Sequence, residues 1–259
     1  MPVLERFRLD GKAAVVTGGD RGIGRAVATG LAEAGADVVV ANRDGDAGAE
    51  AAAEIREATD SEAVAVPTDV TDEEQVASMV EATAERFGGP DVLVNNAGVV
   101  VHTPAEEMTR EEFERVVETN LTGVFLCARE AGKRMLAGDG GSIVNVSSMS
   151  ARVANYPQKQ VGYNASKAGV EGFTRQLASE WSERGVRVNC IAPGYVRTEM
   201  VDQGIEADPE SADVWFSEML TEEMARPEDI APLAVYLASE ASWYVTGESI
   251  TIDGGYTVR

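Results

Sequence analysis

Residues 12–24 read KAAVVTGGDRGIG, and the rest of the chain takes its meaning from this stretch. Lys12–Thr17 is an apolar run of strand length, and the turn after it opens a helical pattern that continues to about Ala34. Strand, glycine turn and helix together make the first unit of a parallel α/β layer. Gly18, Gly22 and Gly24 let the chain turn tightly and bring its backbone close to a pyrophosphate at the helix N-terminus. Asp20, Arg21 and Ile23 sit between these glycines and belong to the same candidate cofactor site.

The same rhythm repeats outward. Ala36–Ala41 reads as a second strand and Asp44–Thr59 as a helix, then Ala63–Pro67 and Asp72–Phe87, then the strand Asp91–Val94 ending in NNAG. Thr109–Met135 is helical throughout, and Thr109 with Glu112 three residues on forms a capping box at its start. Gly141–Val146, Val186–Ile191 and Ser249–Ile252 read as further strands, with helices at Val161–Arg184 and Pro227–Ala238. Short apolar strands alternating with helices predict a doubly wound, mostly parallel seven-stranded sheet flanked by helices. No linker rich in Pro, Gly or Ser interrupts the pattern, so residues 1–259 are expected to form one domain. Residues 197–226 depart from it, mixing acids with Met200, Trp215, Phe216, Met219, Leu220 and Met224. Such a segment reads either as a lid over a pocket or as a loop with a short packed helix.

Composition removes several classes of function. The 259 residues hold 44 Asp+Glu against 22 Lys+Arg, a formal charge of −22, which argues against binding a nucleic-acid backbone or an anionic membrane surface. Only Lys12, Lys133, Lys159 and Lys167 are lysines, and the other 18 basic residues are arginines. Such a chain repels itself in dilute buffer and is relieved at high salt, which points to a source with high internal salt or to an acidic protein from a GC-rich genome. Cys127 and Cys190 sit in apolar runs and read as free buried thiols. With His102 as the single histidine, no structural zinc site is available, nor a histidine-based nucleophilic centre unless His102 is itself the base. No apolar stretch reaches 18 residues and the first ten residues are too charged for a secretory segment, so a soluble, cytoplasmic protein is expected.

The end of the second strand bears on the cofactor. Dinucleotide sites that choose NAD place an acid there for the ribose 2′-OH, and this chain has Asn42-Arg43. Asn42 does not repel a 2′-phosphate, and Arg43 can grip one through its planar fork, with Arg21 a second cation aimed at the same region. NADP(H) is therefore expected, with NAD as second choice. Asp69, followed by Val70 after the third strand, is placed to hold the adenine amino group.

Asn96, Ala97 and Gly98 close the fourth strand, where short side chains can line a cofactor. Tyr163 and Lys167 stand four apart and share one helix face. A neighbouring ammonium favours the phenolate of a tyrosine whose free pKa is about 10, so the pair makes a workable acid/base. Ser148, at the carboxyl end of the fifth strand, can donate to a substrate oxygen. Asn120 is a poor helix former inside a helix, and one reason for it would be to hold a water against Lys167.

In this order, TGGDRGIG (17–24), NNAG (95–98), Asn120, Ser148, YNASK (163–167) and Pro193-Gly194 resemble the short-chain dehydrogenase/reductase family over essentially the whole chain. The resemblance implies a Rossmann-like fold, Tyr163 as general acid/base, Lys167 on the nicotinamide ribose, Ser148 orienting the carbonyl and Asn120 supporting a proton relay. It also implies that Pro193, Gly194 and Val196 line the nicotinamide, with Thr198 near its amide or the diphosphate. Fifteen positions separate Ser148 from Tyr163 where thirteen is usual; Ser150 has the usual count, but Ser148 follows the strand directly. The loop before Tyr163, with Asn155, Gln158 and Gln160, and the ending DGGYTVR resemble family members acting on polyols, ketoses and sugar acids. A 3-oxoacyl-[acyl-carrier-protein] reductase shares these motifs, although it needs a basic docking patch, and a steroid or aromatic alcohol substrate also stays open. A nucleotide-binding regulator without catalysis is the reading from another class. No metal is required, since Tyr163 and Ser148 can do the polarising; the family implies a homotetramer, and Ala165, Ala168, Gly169 and Gly172 give the helix after Tyr163 a small-residue face that suits close packing.

Overall fold

Alternation along the strands builds two apolar layers, one on each face of the sheet. Ala14 and Val16 of β1 (Ala13–Thr17) join one buried cluster and Val15 the other, because successive side chains point to opposite faces. The same division holds for Val38 and Val40 against Val39 in β2 (Asp37–Asn42), and for Val92 and Val94 against Leu93 in β4 (Val92–Asn95). In this computed structural model, residues 2–258 are described except Asp208 and Glu222; the side chains of Met200, Ala207 and Ser211 lie outside the description.

The remaining strands are β3 (Ala63–Pro67), β5 (Gly141–Val146), β6 (Val186–Pro193) and β7 (Ser249–Ile252). The seven make one sheet in the order β3-β2-β1-β4-β5-β6-β7, and all six pairings are parallel, beyond the mostly parallel sheet expected. The first layer is formed by α1 (Gly22–Glu33), α2 (Gly45–Ala58) and α9 (Pro227–Ala238), through Val27, Leu31, Ile55, Ile230 and Leu237. The second is formed by α3 (Glu73–Phe87), α5 (Gly123–Ala137) and α6 (Val161–Trp181), through Met79, Cys127, Met135 and Leu177. Cys127 and Cys190 are free and buried, as expected.

Three local outcomes differ from the sequence reading. The long helix starting at the capping box of Thr109 and Glu112 is interrupted: α4 (Arg110–Val117) passes through one π turn at Glu118–Thr122 before α5 begins. The sixth strand runs two residues further, to Pro193. Residues 197–226 carry two helices, α7 (Glu199–Ala207) and α8 (Pro209–Glu218), with Ala212, Trp215, Met219 and Met224 buried together in a small cluster of their own. The side chain of Met200 is outside the described ones. No helix among the described residues is long and apolar enough to cross a membrane.

Candidate active site

β1 and β4 are neighbours in the sheet, yet the chain leaves β1 for α1 in one layer and continues after β4 toward α5 in the other. That reversal opens a crevice at the carboxyl ends of the strands, the position where α/β sheets bind ligands. Thr17 staples the crevice at its base: its hydroxyl accepts from the backbone N–H of Asn96 (3.0 Å) and of Ala97 (3.1 Å). The Asn96 amide donates to the carbonyls of Thr17 and Gly18, each at 3.0 Å, and so ties the end of β4 to the glycine turn.

The turn itself needs its glycines. Gly18 and Gly22 adopt φ of +61° and +54°, and a Cβ on Gly24 would collide with the Gly18 carbonyl oxygen. α1 starts with no side-chain cap from Arg21 and no acid in its first turn, whereas Asp44 caps α2 and Asp72 caps α3. Free N–H groups and the positive end of the helix dipole therefore face the crevice, a fit for a diphosphate. Thr198 reaches the same turn, its Cγ2 lying 3.4 Å from where a Gly22 Cβ would stand.

The adenosine end is less uniform. Arg43 is exposed, and Arg21 is exposed with Asp20 at 3.9 Å. Asn42 turns inward: its amide donates to the Asp44 carbonyl (2.6 Å) and its oxygen is packed against Gly48, so it shapes the start of α2 while Arg43 faces solvent. Asp69 accepts from the backbone N–H (2.9 Å) and the hydroxyl (2.8 Å) of Thr71, and Val70 is buried against Gly123.

Four side chains from three elements meet beyond the ends of β4 and β5: Tyr163 and Lys167 of α6, Ser148 after β5, and Asn120 of the π turn. Lys167 is buried and donates to the Val146 carbonyl at 2.7 Å; its ammonium lies 5.6 Å from the ring centre of Tyr163. Desolvation lowers the Lys167 pKa to about 8. Burial pushes the Tyr163 phenol up, opposed by hydrogen bonding to Ser148. The phenol is thus shifted upward, opposite to the direction expected from the neighbouring ammonium. Ser148 lies 3.0 Å from the Ser150 hydroxyl and accepts from the Ser150 N–H at 3.1 Å.

Asn120, in the π turn, accepts from the Val99 N–H (2.8 Å) and donates to the Val99 carbonyl (2.9 Å) and the Ser166 hydroxyl (3.1 Å). Ser166 in turn donates to the Tyr163 carbonyl at 2.8 Å. A Cβ on Gly98 would stand 3.4 Å from the Asn120 oxygen and 3.6 Å from the Lys167 nitrogen, so Gly98 keeps the space beside both clear. His102 is exposed on the loop after β4, and partial desolvation lowers its pKa.

Thr17 and Ser166 lie inside the motifs TGGDRGIG and YNASK without a role read for them there, and Tyr195 was not singled out. Tyr195 had a signal, because it directly follows Pro193-Gly194; Thr17 and Ser166 act through contacts distant in sequence that no local pattern announces. The loop before α6 is held by amides: Gln160 and Asn164 both donate to the Asn155 oxygen at 3.1 Å, and Gln158 donates to the Tyr195 hydroxyl at 2.8 Å.

With this geometry in hand, the chain can be placed among known proteins. Residues 18–257 match a family model described as enoyl-(acyl carrier protein) reductase. The galactitol 2-dehydrogenase of Rhizobium johnstonii is 41% identical over 258 residues, 99% of each chain. The D-threitol dehydrogenase of Mycolicibacterium smegmatis is 42% identical over 98% of this chain and 95% of its own. Among solved structures, a gluconate 5-dehydrogenase from Burkholderia cenocepacia, in complex with NADP and tartrate, superposes with a TM-score of 0.93 at 32% identity over 100% of both chains. The chain belongs to the short-chain dehydrogenase/reductase family.

Proposed function

We propose that this protein is an NADP(H)-dependent oxidoreductase that interconverts a secondary alcohol and a ketone on a polyol, ketose or sugar-acid type of substrate, with NAD as second choice. The observation that carries the reading is the meeting of Ser148, Tyr163, Lys167 and Asn120 beside Gly98, at the carboxyl ends of the central strands. Relatives named for galactitol and D-threitol, and a solved relative holding NADP, support the substrate class and the cofactor.

The bare start of α1, Arg43 and Arg21 would hold the phosphates, and Pro193, Gly194, Val196 and Thr198 would border the nicotinamide. When bound, that cofactor supplies hydride transfer to or from the carbinol carbon. Tyr163 takes the hydroxyl proton at its phenol oxygen during oxidation and returns it during reduction. Ser148 donates to the same substrate oxygen and fixes its position against Tyr163. Lys167 supplies a positive charge that steadies the phenolate once the site is loaded, and Asn120 is a positioning residue, anchoring the β4 loop and, through Ser166, the start of α6.

Residues 197–226 act as the lid of this pocket within a single domain. Phe113, Phe125 and Val161 remain exposed on α4, α5 and α6, and assembly into a homotetramer would cover them. Absorbance at 340 nm with galactitol, D-threitol and gluconate, each offered NADP and NAD, tests the function. Turnover of a polyol with NADP as the better cofactor is the expected result, and no turnover of any of the three overturns it.

A further inference from the structure

Five buried polar side-chain atoms among the described residues have no hydrogen-bond partner, and two of them, Gln158 Oε1 and Trp215 Nε1, border Tyr195. Tyr195 leaves the Pro193-Gly194 turn with Trp215 stacked on it, ring centres 4.9 Å apart and planes 13° apart. Tyr256 meets the same ring edge-on at 5.5 Å. The Tyr195 hydroxyl already receives the Gln158 amide at 2.8 Å, so Gln158 Oε1 is the acceptor left over. Trp215 is 8% exposed, and its N–H is a donor left over in otherwise apolar surroundings. A buried donor and a buried acceptor without partners are costly, and native structures keep such pairs chiefly where a ligand or water completes them.

We propose that Trp215 and Gln158 are specificity-determining residues that read the hydroxyls flanking the reacting carbinol. The Trp215 N–H donates to one substrate oxygen, and Gln158 Oε1 accepts from a substrate hydroxyl. The pairing selects a ligand class. A chain of hydroxyls supplies both an acceptor and a donor. A carboxylate satisfies only the indole, and an acyl chain satisfies neither. The stacked Tyr195 and Trp215 rings add an apolar platform of the kind found in small-molecule pockets. Sites built to hydrogen-bond a hydroxyl reject analogues lacking it far more strongly than apolar pockets reject an added methylene.

The inference rests on the polyol reading above, and one experiment separates their failures. Initial rates with NADP are measured on D-threitol and on 2,3-butanediol, which keeps the vicinal diol and lacks the terminal hydroxyls, for the wild type, W215F and Q158M. W215F keeps an aromatic ring but gives up the N–H together with part of the ring area stacked on Tyr195, while Q158M keeps the side-chain length. The ratio of kcat/KM for threitol over butanediol is expected to fall about tenfold in each variant, mostly through KM. Wild type favouring threitol with that ratio unchanged in both variants overturns this inference alone, as does an equal loss on both substrates, which marks a packing role. Wild type turning over butanediol but not threitol overturns the polyol reading together with it.

Discussion

Lys167 keeps its ammonium on the Val146 carbonyl inside the protein, and burial lowers its pKa to about 8 from 10.5. The unfolded chain therefore holds this proton up to about pH 10.5, while the folded chain gives it up near pH 8. Between those values the unfolded state binds more protons, so this group's contribution makes stability rise with pH; below pH 8 the full penalty of a buried charge remains. K167M has no charge to desolvate. Urea unfolding of the cofactor-free protein at about pH 7 and about pH 10 should show wild type gaining on K167M by up to roughly 3 kcal/mol. A constant difference would remove the buried-charge account. At the reacting phenol, Y163F should retain cofactor binding, measured by titration, and lose roughly 10²–10⁴-fold in kcat. Burial holds the Tyr163 phenol protonated through neutral pH, so while Lys167 keeps its proton, up to about pH 8, alcohol oxidation should quicken with rising pH and ketone reduction stay level. Ser148 and Ser150 are distinguished the same way: S148A should cost about 10²-fold in kcat, as does loss of one donor to a reacting oxygen. S150A should cost far less, because the backbone N–H that holds Ser148 survives it.

The interrupted helix shows why elements matter beyond their boundaries. Asn120 leaves the regular α ladder in a π turn and makes three hydrogen bonds to groups 21 and 46 residues away. N120A would strand the Val99 backbone groups and should cost about 3 kcal/mol, or roughly 10 °C in Tm for a chain of this size. Circular dichroism melting checks this, and an unchanged Tm would assign Asn120 to the chemistry alone. The same element marks the limit of what could be read beforehand. Strands stood out because apolar runs such as VVVA must be buried on both faces of a parallel sheet, and helices because Asp44, Asp72 and Thr109 announce their starts. Of the candidate catalytic residues, Ser148 was visible from its place at the end of β5, and Tyr163 with Lys167 from their helical spacing. The π turn was not, because the Asn120 it carries is held by the backbone of Val99, 21 residues away, and the inward turn of Asn42 was not, because Gly48 makes room for it from the next helix. The helices at 197–226 were hidden for another reason: their apolar residues pack against Tyr195 and Tyr256 in a cluster separate from the main core, without a stripe facing the sheet.

For the whole molecule, a charge of −22 spread over 259 residues works against the compact state. Raising KCl shortens the screening length from about 10 Å at 0.1 M to about 3 Å at 1 M, so Tm should climb across that range. A flat salt series would show that this repulsion is too weak to bear on the stability of the fold. Loading acts on the same global equilibrium. Because α1 begins without a capping side chain, a bound diphosphate would in effect supply its missing N-cap, and the dinucleotide would become a structural member of the fold as well as a reactant. Protease resistance and deuterium protection at residues 22–25 should then track ligand occupancy, with about 2.7 kcal/mol gained at a concentration of 100 Kd.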